Sequence, residues 1–153
     1  PDKTSVEANF VFASDEFPDK GVTDVLGFFV DGDNFAFFQD GSLVSFVQGV
    51  NADNFNDNNV GTNNYDLEYD GISDSLLVVG LLDTSLATHT LKIAIADTSD
   101  SIFDSGVFIG GLTAGTKTGG GVNPPEPSPT PAPATITLLG LGLLGARFAR
   151  RKG

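Results

Sequence analysis

The chain is 153 residues long, has 13 Phe and no Cys, Met or Trp, so its core has to be built from Phe, Val, Leu and Ile without a disulfide; thiolate metal sites and cysteine nucleophiles are excluded. Four lysines against 19 carboxylates leave the first 123 residues at −15, while Arg147, Arg150, Arg151 and Lys152 make the last seven residues basic and bring the whole chain to −12. An acidic body cannot follow a phosphate backbone, which argues against a nucleic-acid partner and leaves calcium or a neutral glycan as better matches to its field.

The length suits one domain, less roughly thirty residues of tail. The start at Pro1-Asp2-Lys3, without Met, reads as a processed chain or a fragment. Up to about residue 112, short apolar runs alternate with Gly, Asp and Asn clusters roughly every ten residues, the pattern of a sandwich or barrel. Residues 6–13 alternate and predict a first strand; residues 25–30 are a continuous apolar run and predict a second. Asp31-Gly32-Asp33-Asn34 tolerates positive φ and predicts a hairpin into a strand at 35–39. Asp40-Gly41 turns the chain into a strand at 43–50, and the Asn- and Asp-rich residues 51–64 read as a long loop. Further strands are expected at 65–69, 75–82, 89–96 and 107–109. With no amphipathic helical pattern and turns too short for parallel crossovers, the fold class is all-β: an antiparallel β-sandwich of about eight strands, jelly-roll-like in topology.

The composition changes after residue 113, so the expected organisation is a body at 1–113, a linker at 114–133 and a tail at 134–153. Residues 115–121 are a flexible Gly and Thr stretch, and residues 124–133 contain six prolines, which favours an extended polyproline spacer. Residues 134–149 are almost wholly apolar and small, closed by Arg150-Arg151-Lys152. As a short helix they span about 24 Å against a hydrocarbon layer of about 30 Å, a gap that snorkelling basic side chains close. Basic residues after an apolar run stay on the cytoplasmic side and leave the acidic body outside. Gly140-Leu141-Gly142-Leu143-Leu144-Gly145 matches the dinucleotide-binding fingerprint in letters, but it has no β-α-β unit around it, and only eight residues follow. The small residues Gly142 and Ala146 instead suit close helix approach in lipid.

Pro125-Glu126-Pro127-Ser128, an apolar Leu/Gly segment and a terminal basic cluster, in that order, resemble the PEP-CTERM sorting signal of Gram-negative bacteria. The resemblance implies recognition by an exosortase, transient anchoring in the inner membrane, removal of the tail near the motif, and an organism that makes exopolysaccharide. Residues 129–133 add a second proline-rich spacer where the family's apolar run usually begins. The body resembles the choice-of-anchor L domain over about residues 8–110, through blocks such as Asn9-Phe10-Val11-Phe12-Ala13-Ser14-Asp15-Glu16-Phe17, Leu67-Glu68-Tyr69-Asp70-Gly71 and Asp104-Ser105-Gly106-Val107-Phe108-Ile109. That family has no established catalytic activity, and it implies further strand residues before residue 6, hence an open sheet edge.

The carboxylates Asp15, Glu16, Asp24, Asp97, Asp100 and Asp104 fall at strand ends and in one short loop. Calcium takes six to eight oxygens, and loops at one end of a sandwich can converge to supply them, so calcium is the candidate cofactor and these six are its candidate ligands. The competing reading is turn capping and solvated charge. A glycosidase dyad would need an acid and a base that nothing here distinguishes, and Tyr65 and Tyr69 are weak substitutes for a Trp platform, Tyr69 reading as a sheet residue. The single His89 has no second His or Cys for zinc and no Ser elbow for a triad, so it reads as an edge or turn residue. The expected role is therefore a non-enzymatic exported surface or matrix protein, with a calcium-dependent glycan-binding module as the first alternative and a polysaccharide hydrolase as the second.

Overall fold

The computed structural model describes residues 3–21, 23–62, 64–98 and 102–124. They form two antiparallel sheets. The first is centred on β1 (Ser5–Ser14), the second on β2 (Asp24–Val30). β8 (Ser105–Gly115) runs along one edge of β1. Along its other edge β5 (Gly71–Ser73) and β6 (Leu76–Leu81) follow one another, covering Ala13–Ser14 and Ser5–Phe10 respectively. In the gap between them the N–H of Phe12 donates to Ser73 Oγ at 2.9 Å, so a buried backbone donor that the ladder drops is satisfied by a side chain. β4 (Phe55–Asp57) pairs with β5, and β9 (Gly121–Val122) with β6. In the second sheet β2 lies between β3 (Asp33–Asn34) and β7 (Leu91–Asp97).

The alternation in β1 sets the packing. Ala8, Phe10 and Phe12 point to one face and meet Leu26, Phe28 and Val30 of β2, with Val44, Val78 and Val122 completing the core. At the end of the sandwich where β1 leaves the sheet, Phe12, Phe17, Phe46 and Phe55 form a cluster with ring centroids 5.2 to 6.2 Å apart, mostly edge to face, the geometry that aromatic quadrupoles favour. The two-residue hairpin between β2 and β3 follows the expected turn chemistry: Asp31 and Gly32 have φ of 53° and 100°, as a type I′ turn requires.

Several strand expectations are corrected. Residues 35–39 and 43–50 make only the bridges Phe37↔Leu43 and Val25↔Ser45 instead of regular strands. Asn34 Oδ1 takes the N–H groups of both Phe28 and Ala36, and Asn51 bonds Val47 N–H and Ser45 C=O, so side chains interrupt a backbone pairing of which Leu26 N–H to Val44 C=O and Val44 N–H to Ala36 C=O remain. Residues 65–69 form no strand: 65–68 are bends, and Asn58 binds the backbone of Tyr65, Leu67 and Tyr69. The 51–64 loop contains β4 and one 3-10 turn, Ala52–Asn54. β8 runs to Gly115, and β9 lies in the Gly/Thr stretch expected as linker.

β7 and β8 are the outer strands of their sheets among the described residues. Leu91, Ile93 and Ile95 stand opposite Val30, Phe28 and Leu26 and so share their core-facing side, yet they stay 36 to 41 % exposed. Ile93 and Ile109 nevertheless line the apolar space between the sheets together with Phe10 and Phe28.

Candidate functional site

The carboxylates singled out by the sequence gather at one end of the sandwich, where β1 ends, β2 begins, β7 ends and β8 begins. They form two groups. At the end of the first sheet, Asp15 donates its backbone N–H to the carbonyl of Asp104 at 3.0 Å and accepts the N–H of Asp70 on Oδ1 at 3.1 Å. Burial pushes the Asp15 carboxyl above the usual carboxylate range; the Asp70 N–H opposes this, and the charges of Asp70, Asp104 and Glu68 add to the rise. Glu16 is 1 % exposed, its backbone held by Ser14 Oγ at 3.1 Å and by the N–H of Lys20 at 3.2 Å.

At the end of the second sheet, Asp24 and Asp97 are directly opposed across β2 and β7, and Asp24 is buried. Thr98 Oγ1 donates to the carbonyl of Thr23 beside them. Lys20 reaches over the ring of Phe103 at 5.0 Å and ties the β1–β2 loop to the β7–β8 loop. Asp100, the sixth candidate, lies outside the described residues. Among the described residues no three His, Cys, Asp or Glu side chains stand close enough together to hold a metal ion.

The other aspartates build turns. Asp40 accepts both the N–H and the hydroxyl of Ser42, Asp83 does the same for Ser85, and Asp57 accepts the N–H and side-chain amide of Asn59. These bonds hold all three carboxyls below the usual range. His89 belongs to the same class: its Nδ1 lies 2.7 Å from Asp31 Oδ2, and Asp31 also accepts the N–H groups of Thr90 and Asp83. The Thr90 N–H first, then the His89 ring and the Asp83 N–H, hold Asp31 low. The pair pins the hairpin to the loop before β7, as expected of a turn residue. Tyr69 is not on a strand; its ring lies against Gly106 of β8, and Tyr65 is partly exposed.

Sequence reasoning missed the amide side chains. Asn58 is 4 % exposed, donates from Nδ2 to the carbonyls of Leu67 and Tyr69, both at 2.9 Å, and accepts the N–H of Tyr65 on Oδ1 at 2.8 Å. The available signal was the density of Asn itself, which marks backbone groups taken by side chains as readily as it marks open loop.

The sorting residues Pro125, Glu126, Pro127 and Ser128 and the basic Arg147, Arg150, Arg151 and Lys152 lie outside the described residues, as does the expected short helix. Among the described residues no helix is long and apolar enough to cross a membrane. A family model, the choice-of-anchor L domain, matches residues 1–113, and the PEP-CTERM protein-sorting motif matches residues 129–152. The second match begins one residue past Pro125-Glu126-Pro127-Ser128. No curated protein and no solved structure matches the chain. The chain therefore belongs to the choice-of-anchor L family and ends in a PEP-CTERM motif, the mark of an exported protein that an exosortase sorts to the cell surface.

Proposed function

We propose that the protein is a non-enzymatic component of the cell envelope surface or extracellular matrix of a Gram-negative bacterium, with an adhesive or matrix-structural task. The observation that carries this reading is the order of parts, a choice-of-anchor L body followed by a PEP-CTERM sorting motif. The tail holds the precursor briefly in the inner membrane, and processing releases the body to the envelope or to exopolysaccharide. The polar chemistry of the body agrees with such a task. Asp31, Asp40, Asp57 and Asp83 hold the backbone of neighbouring turns, and His89 is held by Asp31. Side chains so engaged fix turn geometry and stiffen a surface.

Intact-mass measurement of the protein recovered from the cell surface tests the reading. A mature form ending near Pro125 to Ser128, or near Pro129, supports it, and the same measurement places the cut. Recovery of surface protein that still ends in Arg150-Arg151-Lys152 would overturn it. Loss of matrix cohesion on deleting the chain supports the structural task, whereas release of new reducing ends from the strain's own polysaccharide would replace it with a hydrolase.

A further inference from the structure

The described chain leaves the body through a clasp made by the first sheet and the segment that follows β3. β9 pairs with β6, and the N–H of Val122 donates to the carbonyl of Phe37 at 3.1 Å. Asn123 donates its N–H to Leu77 C=O at 2.7 Å and accepts the Leu77 N–H on Oδ1 at 2.8 Å. A φ of 45° at Asn123 then redirects the backbone, and Pro124 lies in the wall of an open groove of about 590 Å³. Phe35, Phe37, Phe38, Leu81 and Gly120 line the same groove. Gly120 is required there, because a Cβ at that position would stand 2.7 Å from the ring of Phe35. At the rim Gln39 Nε2 donates to the carbonyl of Asn123 at 2.9 Å.

We propose that this groove is the docking site of the chain's own proline-rich segment, Pro125 to Pro129. Three observations select that occupant. The segment begins directly after Pro124, which forms part of the groove wall. Prolines lack the N–H that would need a partner and favour the polyproline conformation, whose five residues extend about 15 Å. Such helices are bound by aromatic-lined grooves, and the Gln39 amide on the Asn123 carbonyl extends the same grip to the peptide backbone. Covalent attachment supplies an effective concentration in the millimolar range, so an intrinsic affinity of that order is enough. The consequence rests on the sorting reading above: docking holds Pro125-Glu126-Pro127-Ser128 against the body, and processing has to lift it.

The test uses the full chain in detergent micelles, comparing it with a Pro125→Ala/Pro127→Ala/Pro129→Ala variant by backbone amide NMR. The expected result is a shift of resonances confined to residues 35–39 and 120–123. A free Pro-Glu-Pro-Ser-Pro peptide should then bind the variant about twofold more tightly than the parent chain, because an effective concentration equal to the intrinsic dissociation constant leaves half of the parent's grooves filled by its own segment. Groove resonances that do not respond to the proline substitutions would overturn the proposal, and so would equal peptide affinity for the two chains. Processing rate is read separately in cells from Gln39→Ala, an exposed position outside the core. If the NMR result holds and Gln39→Ala leaves processing unchanged, docking stands and the sorting consequence falls.

Discussion

Replacing Gly80 by Ala would place a Cβ 2.2 Å from Cγ2 of Val30 and 3.3 Å from the ring of Phe28, across the interface between the two sheets. Val30 is 1 % exposed and β-branched, so it has no flexible end to withdraw. Overpacking of this kind costs about 1–3 kcal/mol, offset by about 0.4–1 kcal/mol from the stiffer unfolded chain. Val30→Ala alone removes two buried methyls and leaves a void, a loss of about 2–3 kcal/mol. In the double variant the new methyl enters the space that Val30 vacates, so the pair should cost about as much as Val30→Ala alone, a coupling of about 1–2 kcal/mol. Thermal unfolding followed by far-ultraviolet circular dichroism measures all three, with an expected fall in melting temperature of about 4 °C per kcal/mol. Gly110→Ala is the control, because nothing lies within 4 Å of its Cβ position. Costs that add to within about 0.5 kcal/mol, or a neutral Gly80→Ala, would refute the claim that Gly80 exists to admit Val30.

Asn58→Ala strands three backbone partners, Leu67 C=O, Tyr69 C=O and Tyr65 N–H, and should cost about 2–4 kcal/mol at about 1 kcal/mol per bond; the Tyr65 amide should lose its hydrogen-exchange protection, and unchanged exchange would sink the assignment. The folded pKa of Asp15 is raised, so its ionised form opposes folding above that value, and the penalty is relieved as pH falls through it. Asp15→Asn, which keeps an acceptor for the Asp70 N–H, should therefore raise the melting temperature at pH 7 and lose that advantage on acidification; a gain independent of pH contradicts this. Millimolar calcium against excess chelator should leave the melting temperature unchanged if the acidic end is turn chemistry, whereas saturation of a site at 100 times its Kd would add about 2.7 kcal/mol and a rise of several degrees.

What the sequence made legible was whatever depends on local pattern. Alternation in β1, the continuous apolar run of β2 and the Asp31-Gly32 turn each dictate one backbone geometry, and the structure contains all three. The order of Pro-rich spacer, apolar run and basic terminus is likewise linear information, and the sorting motif is found there. The short segments were not legible. Residues 35–39 and 65–69 have strand-like composition, but Asn34 takes the Ala36 N–H and Asn58 takes the Tyr65 N–H and the Leu67 and Tyr69 carbonyls, and no local pattern announces which side chain will reach which backbone. β9 was hidden for the opposite reason: in Gly121-Val122 a single Val beside a strand-disfavouring Gly is too short a pattern to read, and pairing with β6 and the bond to Phe37 make it a strand.

The amino-acid sequence by itself determined that this protein is acidic, disulfide-free, all-β and addressed for export, because charge, composition and the sorting signal are properties of the chain and not of its fold. Only the tertiary structure decided where its carboxylates stand and which turns its aspartates hold. It separates Asp15 and Asp104 from Asp24 and Asp97 by placing them at the ends of different sheets, and it assigns Asp31, Asp40, Asp57 and Asp83 to backbone N–H groups. Residues far apart in the chain meet through sheet register, and register is set by the buried face of every strand at once.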